Sequence, residues 1–261
     1  MTSLVKEWKT LWQLRTVVQV LISRELKVRY RGTVLGFLWS FLNPLIFAVV
    51  YVLVFSYFLR INMDNYAAFL LCGLLPWNCF GASVSDSSRS ILDNGSLVKK
   101  AALPAEIFPL VSVGTNLTHF LLSVPVLFCL LIILGIRFSM VIFLLPLLVL
   151  IQVLITTSVA LVCSSFAVRF RDLLHLVPNF LLVWFFLTPV AYPEDMVPSA
   201  MQWLLWVNPM AYLIGAYQDI LFRGHAPAFS LLFILLAFAA AISITAHRLF
   251  VWRQDNLLEE L

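Results

Sequence analysis

Residues 34–59 form a run of twenty-six without one charged side chain, and Arg24, Lys27, Arg29 and Arg31 stand directly before it. About 20 apolar residues are enough for a helix to cross the hydrocarbon core of a bilayer, so the run predicts a membrane span. Of the 261 residues 62% are hydrophobic and 11% charged, with a mean hydropathy of +0.98. Globular chains carry about 25% charged residues, which excludes a water-soluble domain. Outer-membrane strands alternate over roughly ten residues, whereas these apolar runs are continuous and longer. The expected fold class is therefore an all-α integral membrane protein.

Some thirty mixed residues precede the first apolar run, unlike a cleaved signal peptide, so no segment is expected to be removed. Cys72, Cys79, Cys129 and Cys163 all fall within apolar runs without metal-site or disulfide spacing, and are expected to pack as small core residues. The net charge of +4 is distributed as membrane topology dictates and forms no single basic face, so nucleic acid is not an expected partner.

Residues 1–31 read as an amphipathic interface helix, with Leu4, Trp8 and Leu11 on one face and Arg24, Lys27 and Arg31 repeating further on. Trp8 and Trp12 favour burial at the bilayer surface, and a solvated basic end is the competing reading. Residues 32–261 read as one membrane domain with spans at 34–59, 66–85, 107–136, 138–168, 173–193 and 226–246. Between the last two spans, residues 196–218 are uncharged, but Pro198 opens the stretch and Asn208-Pro209 divides it. Each half is too short to cross, so the segment is expected to be a re-entrant helical hairpin. With six spans, one side holds fourteen of the seventeen Lys and Arg, and the other only Arg60, Arg137 and Arg223. The positive-inside rule then places both termini in the cytoplasm.

None of the nine glycines begins a phosphate-cradling P-loop, so ATP is not expected to bind by that route. No span carries the buried carboxylate that ion-driven carriers use, and His119, the one titratable group deep in an apolar run, reads as a packing residue more readily than a proton relay. No histidine, cysteine or acid cluster suggests a metal site or a catalytic nucleophile. Energy for any uphill work must come from another chain.

Phe47, Tyr51, Phe55 and Phe58 share one face of the first span, with Phe37, Trp39 and Phe41 a few turns earlier, and Phe180 and Trp184 recur at i, i+4 in the fifth. Such faces can pack on sugar rings or on lipid and neighbouring helices, and the pattern alone leaves both open. Asn43-Pro44 is expected to kink the first span. The connection 86–106 is expected to hold a short helix that Ser96 caps and Leu103-Pro104 ends, with Lys99 and Lys100 placed to dock on a partner or simply to be solvated.

Tyr30-Arg31-Gly32-Thr33-Val34-Leu35-Gly36-Phe37-Leu38-Trp39 followed by Asn43-Pro44-Leu45 resembles the first span of polysaccharide-exporting ABC-2 type permeases. Leu97-Val98-Lys99-Lys100 with Leu103-Pro104-Ala105-Glu106, and Thr188-Pro189-Val190 through Asn208-Pro209-Met210, are similar to that family's cytoplasmic loop and periplasmic re-entrant segment. The resemblance implies a homodimer of six-span subunits in the bacterial inner membrane, exporting a lipid-linked polysaccharide. It places ATP and magnesium on two copies of a separate ATPase subunit and no cofactor on this chain. The lysine-containing loop is closer to O-antigen and teichoic-acid exporters than to capsule exporters. The resemblance further implies that Arg24, Lys27, Ser96, Leu97, Val98, Lys99, Lys100 and Pro104 serve coupling to the ATPase. It gives a sugar path to Phe37, Trp39, Phe41, Phe47, Tyr51, Phe55, Phe180 and Trp184, and an outer gate to Pro198, Trp203, Trp206, Asn208 and Pro209. A permease of the same fold for a drug or lipid, and a self-powered carrier, are the rival readings.

Overall fold

The structure, a computed structural model, describes residues 14–32, 36–58, 63–101 and 103–260. Leu4, Trp8, Leu11 and Trp12 lie outside the described residues, as do the side chains of Phe37, Phe41, Asn43, Pro44 and Lys100. Regular structure among the described residues is helical throughout. In chain order the helices are α1 (Arg15–Tyr30), α2 (Trp39–Val52), α3 (Tyr66–Asp93), α4 (Gly95–Ala101) and α5 (Ile107–Ile133). They continue with α6 (Leu145–Arg169), α7 (Leu173–Leu187), α8 (Gln202–Val207), α9 (Pro209–Gln218) and α10 (Phe229–Glu260). Wider π-helical turns over Leu53–Phe58 prolong α2, and a 3-10 turn over Met140–Leu144 leads into α6.

Among the described residues, four helices are long and apolar enough to cross a membrane: Tyr66–Asp93, Ile107–Ile133, Met140–Arg169 and Phe229–Gln254. In α3, 78% of the apolar window is buried within the protein, against 28, 28 and 22% for the other three. The central position of α3 follows from its residues. Gly73 and a series of small serines let neighbours approach closely, as membrane helix packing favours. A Cβ at Gly73 would lie 2.8 Å from Nε2 of Gln218 and 3.1 Å from Cγ2 of Ile214, so α9 packs directly against glycine backbone.

Several spans differ from the expectation. The second does not close at Asp86: α3 runs on to Asp93, because leaving the hydrocarbon does not oblige a helix to stop hydrogen-bonding to itself. The sixth likewise continues past Ala246 to Glu260. The fifth is shorter than expected, ending at Leu187 after 15 residues. Pro189 is the cause, since the residue before a proline is pushed out of the helical region, and Thr188 is extended at φ −106° and ψ 132°.

The chain from Thr188 to Ala191 is buried and irregular, a combination that is tolerated only when other groups satisfy the backbone. Asn208 Nδ2 donates to the carbonyl of Leu187, Gln218 Nε2 donates to those of Pro189 and Val190, and Tyr66 Oη donates to that of Ala191 at 2.6 Å. A second buried network joins three helices: Tyr217 Oη donates to Gln152 Oε1 at 2.7 Å, and Gln152 Nε2 donates to the carbonyl of Pro76 at 2.9 Å.

The segment 196–218 does break at Asn208-Pro209, giving helices of 6 and 10 residues. Asn208 is extended, its side chain accepts from the N–H of Met210, and Pro209 occupies the first helical position.

Ion pairs stand at both ends of the bundle, Arg223 meeting Asp219 at the end opposite Arg29. At one end Arg29 meets Asp86, His247 meets Glu106, and Arg253 covers Phe166. At the other, the turn after Gly135 (φ 77°) brings the carbonyl of Arg137 beside Gly224 (φ 69°), both in conformations that favour glycine.

Candidate functional site

A cavity of about 840 Å³ opens in the side of the bundle between α2, α3, α5 and α7. The face of α3 that borders it carries Asn78, Gly81, Ala82 and Ser85, whose small size creates much of the space. Aromatic rings form the opposite walls: Trp39, Phe47 and Tyr51 from α2, Trp77 from α3 and Phe185 from α7. Tyr51 and Phe185 touch across the cavity with ring centroids 5.7 Å apart, and Trp77 and Phe185 also at 5.7 Å. Tilted rings of this kind offer flat apolar surfaces with polar edges.

The basic end of the cavity is polar. Arg29, Asn116, His119 and Ser123 line it. Arg29 donates through Nη2 to Asp86 at 2.7 Å and through Nη1 to Asn116 at 3.1 Å, while Asn116 Nδ2 donates to the same Asp86 carboxylate at 2.9 Å. Helix α1 is thereby tied to α3 and α5. A Cβ at Gly114 would lie 2.5 Å from Cδ1 of Ile22, so the absence of a side chain there lets α1 sit close on α5. Thr115 Oγ1 donates to Glu25 at 3.1 Å, and burial against α5 pushes the Glu25 carboxyl above its ordinary range, a rise opposed by the Thr115 hydrogen bond and by Arg29.

Of the sugar-path residues expected from the sequence, the structure brings Trp39, Phe47 and Tyr51 to the cavity wall. Phe55 lies one turn beyond, between the rings of Tyr51 and Tyr66. Phe180 is exposed on the outside of α7, where it touches Trp184. Trp184 packs edge-on against Phe80 and Trp77, and its Nε1 donates to Asn208 Oδ1 at 2.9 Å. Its position joins α7 to the break between α8 and α9. Trp203 and Trp206 are exposed on α8, and Pro198 is exposed on the turn before it.

Of the expected coupling residues, Arg24 and Lys27 are exposed on α1, and Ser96 and Lys99 on α4, with Leu97 and Pro104 half-buried. Ser96 does not cap α4. The carbonyl of Asn94 accepts from the N–H of Leu97 and of Val98, so Asn94 holds the cap position and the helix begins one residue before Ser96. Val98 is buried and anchors α4 from below. Asn78, Trp77 and Asn116 were not among the residues expected from the sequence. The signal was present for Asn78 and Asn116, amide side chains within uncharged runs.

Apolar helices of membrane-crossing length around a lateral cavity define a multi-pass membrane protein, and no cluster of three or more metal-ligating side chains occurs among the described residues. Residues 16–222 match the family model of the ABC-2 type transporter, and the chain belongs to that family. It is 38% identical over 267 residues to the O-antigen export system permease protein RfbA of Myxococcus xanthus, an alignment that covers 100% of both chains. It is 35% identical over 206 residues to the protein of the same name from Klebsiella pneumoniae, covering 78% of this chain and 80% of that one. The polysialic acid transport protein KpsM of Escherichia coli is 23% identical over 219 residues, 81% of this chain and 83% of its own.

Proposed function

We propose that this chain is the membrane subunit of an ATP-driven exporter that moves a lipid-linked polysaccharide, of the O-antigen type, from the cytoplasm across the bacterial inner membrane. The observation that carries this reading is the likeness to an O-antigen export permease over the whole of both chains. In this reading two copies assemble with two copies of a separate ATPase, which binds ATP and magnesium. Helix α2 and its π-helical extension form the first of six spans, and α7 with the irregular chain after it forms the fifth. Helices α8 and α9 form a re-entrant hairpin that gates the outer side. Both termini lie in the cytoplasm, a sidedness supported by the fourteen of seventeen Lys and Arg that six spans put on that side.

The cavity supports the substrate class. Aromatic rings pack on the apolar faces of sugar rings without fixing them, and Asn78, Asn116 and Ser85 offer hydrogen bonds to hydroxyls. Removing this chain from its host strands lipid-linked glycan on the cytoplasmic side, and Trp39→Ala or Tyr51→Ala lowers surface glycan without lowering the level of the protein in the membrane. Normal surface glycan in cells lacking the chain overturns the reading. Unchanged export in both variants removes the aromatic path alone.

A further inference from the structure

Helix α10 has 32 residues and at 1.5 Å per residue is roughly 48 Å long, about 18 Å more than a hydrocarbon core of ~30 Å requires. Its final turns therefore project beyond the bilayer. On this projection Ala246, Phe250, Arg253 and Leu257 recur at i, i+4, i+7, i+11 and are all buried, while Arg248 and Trp252 on the opposite face are exposed. The pattern is that of a helix packed on protein. Phe250 and Leu257 are 0% exposed and belong to a small cluster with Ile91, Val98, Ala105 and Phe108, separate from the main core. Polar contacts flank it: His247 Nδ1 lies 3.6 Å from Glu106 Oε2, and the Arg253 guanidinium lies 4.3 Å above the Phe166 ring. The end of α3, helix α4, the turn into α5 and the end of α6 thus share one cluster with α10, which packs along α6 most extensively. The family match ends at residue 222 and does not include this stretch.

We propose that residues 247–257 of α10 are a brace that holds α4 in place, so that a push on α4 moves α3 and α10 together. The second half of this proposal rests on the reading that α4 meets the ATPase. Val98 and Leu257 act as positioning residues, since neither presents its side chain to a partner. In the full-length protein carrying Val98→Cys, a membrane-impermeant maleimide, quantified by peptide mass spectrometry, labels position 98 slowly. Adding Leu257→Asp raises that rate at least about tenfold by freeing α4, and adding Trp252→Ala on the exposed face does not. Leu257→Ala is read alongside and gives a smaller rise where the aspartate variant fails to reach the membrane. Equal labelling with and without the Leu257 substitution overturns the brace. In the complex with the ATPase, Leu257→Asp lowers glycan exported per ATP hydrolysed while hydrolysis continues. If position 98 becomes reactive and export per ATP is unchanged, the brace stands and its part in coupling is overturned.

Discussion

Asn208 uses all four hydrogen-bonding positions of its amide. Oδ1 accepts from the Met210 N–H and from Trp184 Nε1, and Nδ2 donates to Thr188 Oγ1 at 2.9 Å and to the Leu187 carbonyl at 3.5 Å. Asn208→Ala removes a helix cap worth about 1 kcal/mol and three further polar contacts worth about 0.6 kcal/mol each in membrane proteins, a total loss of roughly 3 kcal/mol. Asn208→Asp keeps the acceptor and loses the two donors. The expected order of thermal midpoints in detergent is therefore Asn, then Asp, then Ala, and equal midpoints for Asp and Ala would show that the acceptor bonds contribute nothing. Glu25 makes a prediction in pH. Its folded carboxyl titrates above the ordinary value, mainly through burial, so folding favours the protonated form. The stability this confers is present below the ordinary carboxylate range and is lost as pH rises through the raised value. Between about pH 4 and pH 7 the midpoint of Glu25→Gln should fall less than that of the native chain, and parallel curves would contradict this.

At the scale of elements, the sequence displayed the apolar runs and the Asn208-Pro209 break, because both depend on hydropathy and on proline's missing donor. It did not display where helices end. Asp86 and Arg89 marked the boundary of an apolar run, yet they lie within α3, since charges that reach water are compatible with helix. The early end of α7 was foreshadowed by Pro189, but the burial of Thr188 to Ala191 depended on donors as distant as Gln218 and Tyr66. In the cavity, the α2 aromatics were legible from their 3.6-residue period. The α3 face was not, because small residues signal space only once their neighbours are known. His247 and Arg253 carried no sign of burial in the sequence, and only the fold shows them buried. Helix α4 carries its own prediction. Reversing Lys99 and Lys100 to Glu should leave ATP hydrolysis by the complex intact and reduce export, as measured by glycan moved per ATP. Full coupling in that variant would reduce the lysines to topology signals.

The whole molecule is arranged as a conduit. A central small-residue helix is ringed by lipid-facing spans, an aromatic cavity opens at its flank, and α1 and α4 present basic side chains at one end. Helix α1 is not independent of the cavity: Arg29 belongs to the cavity wall and to the network that ties α1 to α3 and α5, so movement of α1 alters the polar end directly. No step in this account takes energy from the chain itself. The decisive measurement is reconstitution in sealed vesicles loaded with lipid-linked O-antigen, comparing this chain alone with the chain plus its ATPase and ATP. The account predicts export only in the complete complex, dependent on ATP hydrolysis. Uphill export by this chain alone, with no nucleotide-hydrolysing partner present, would contradict it.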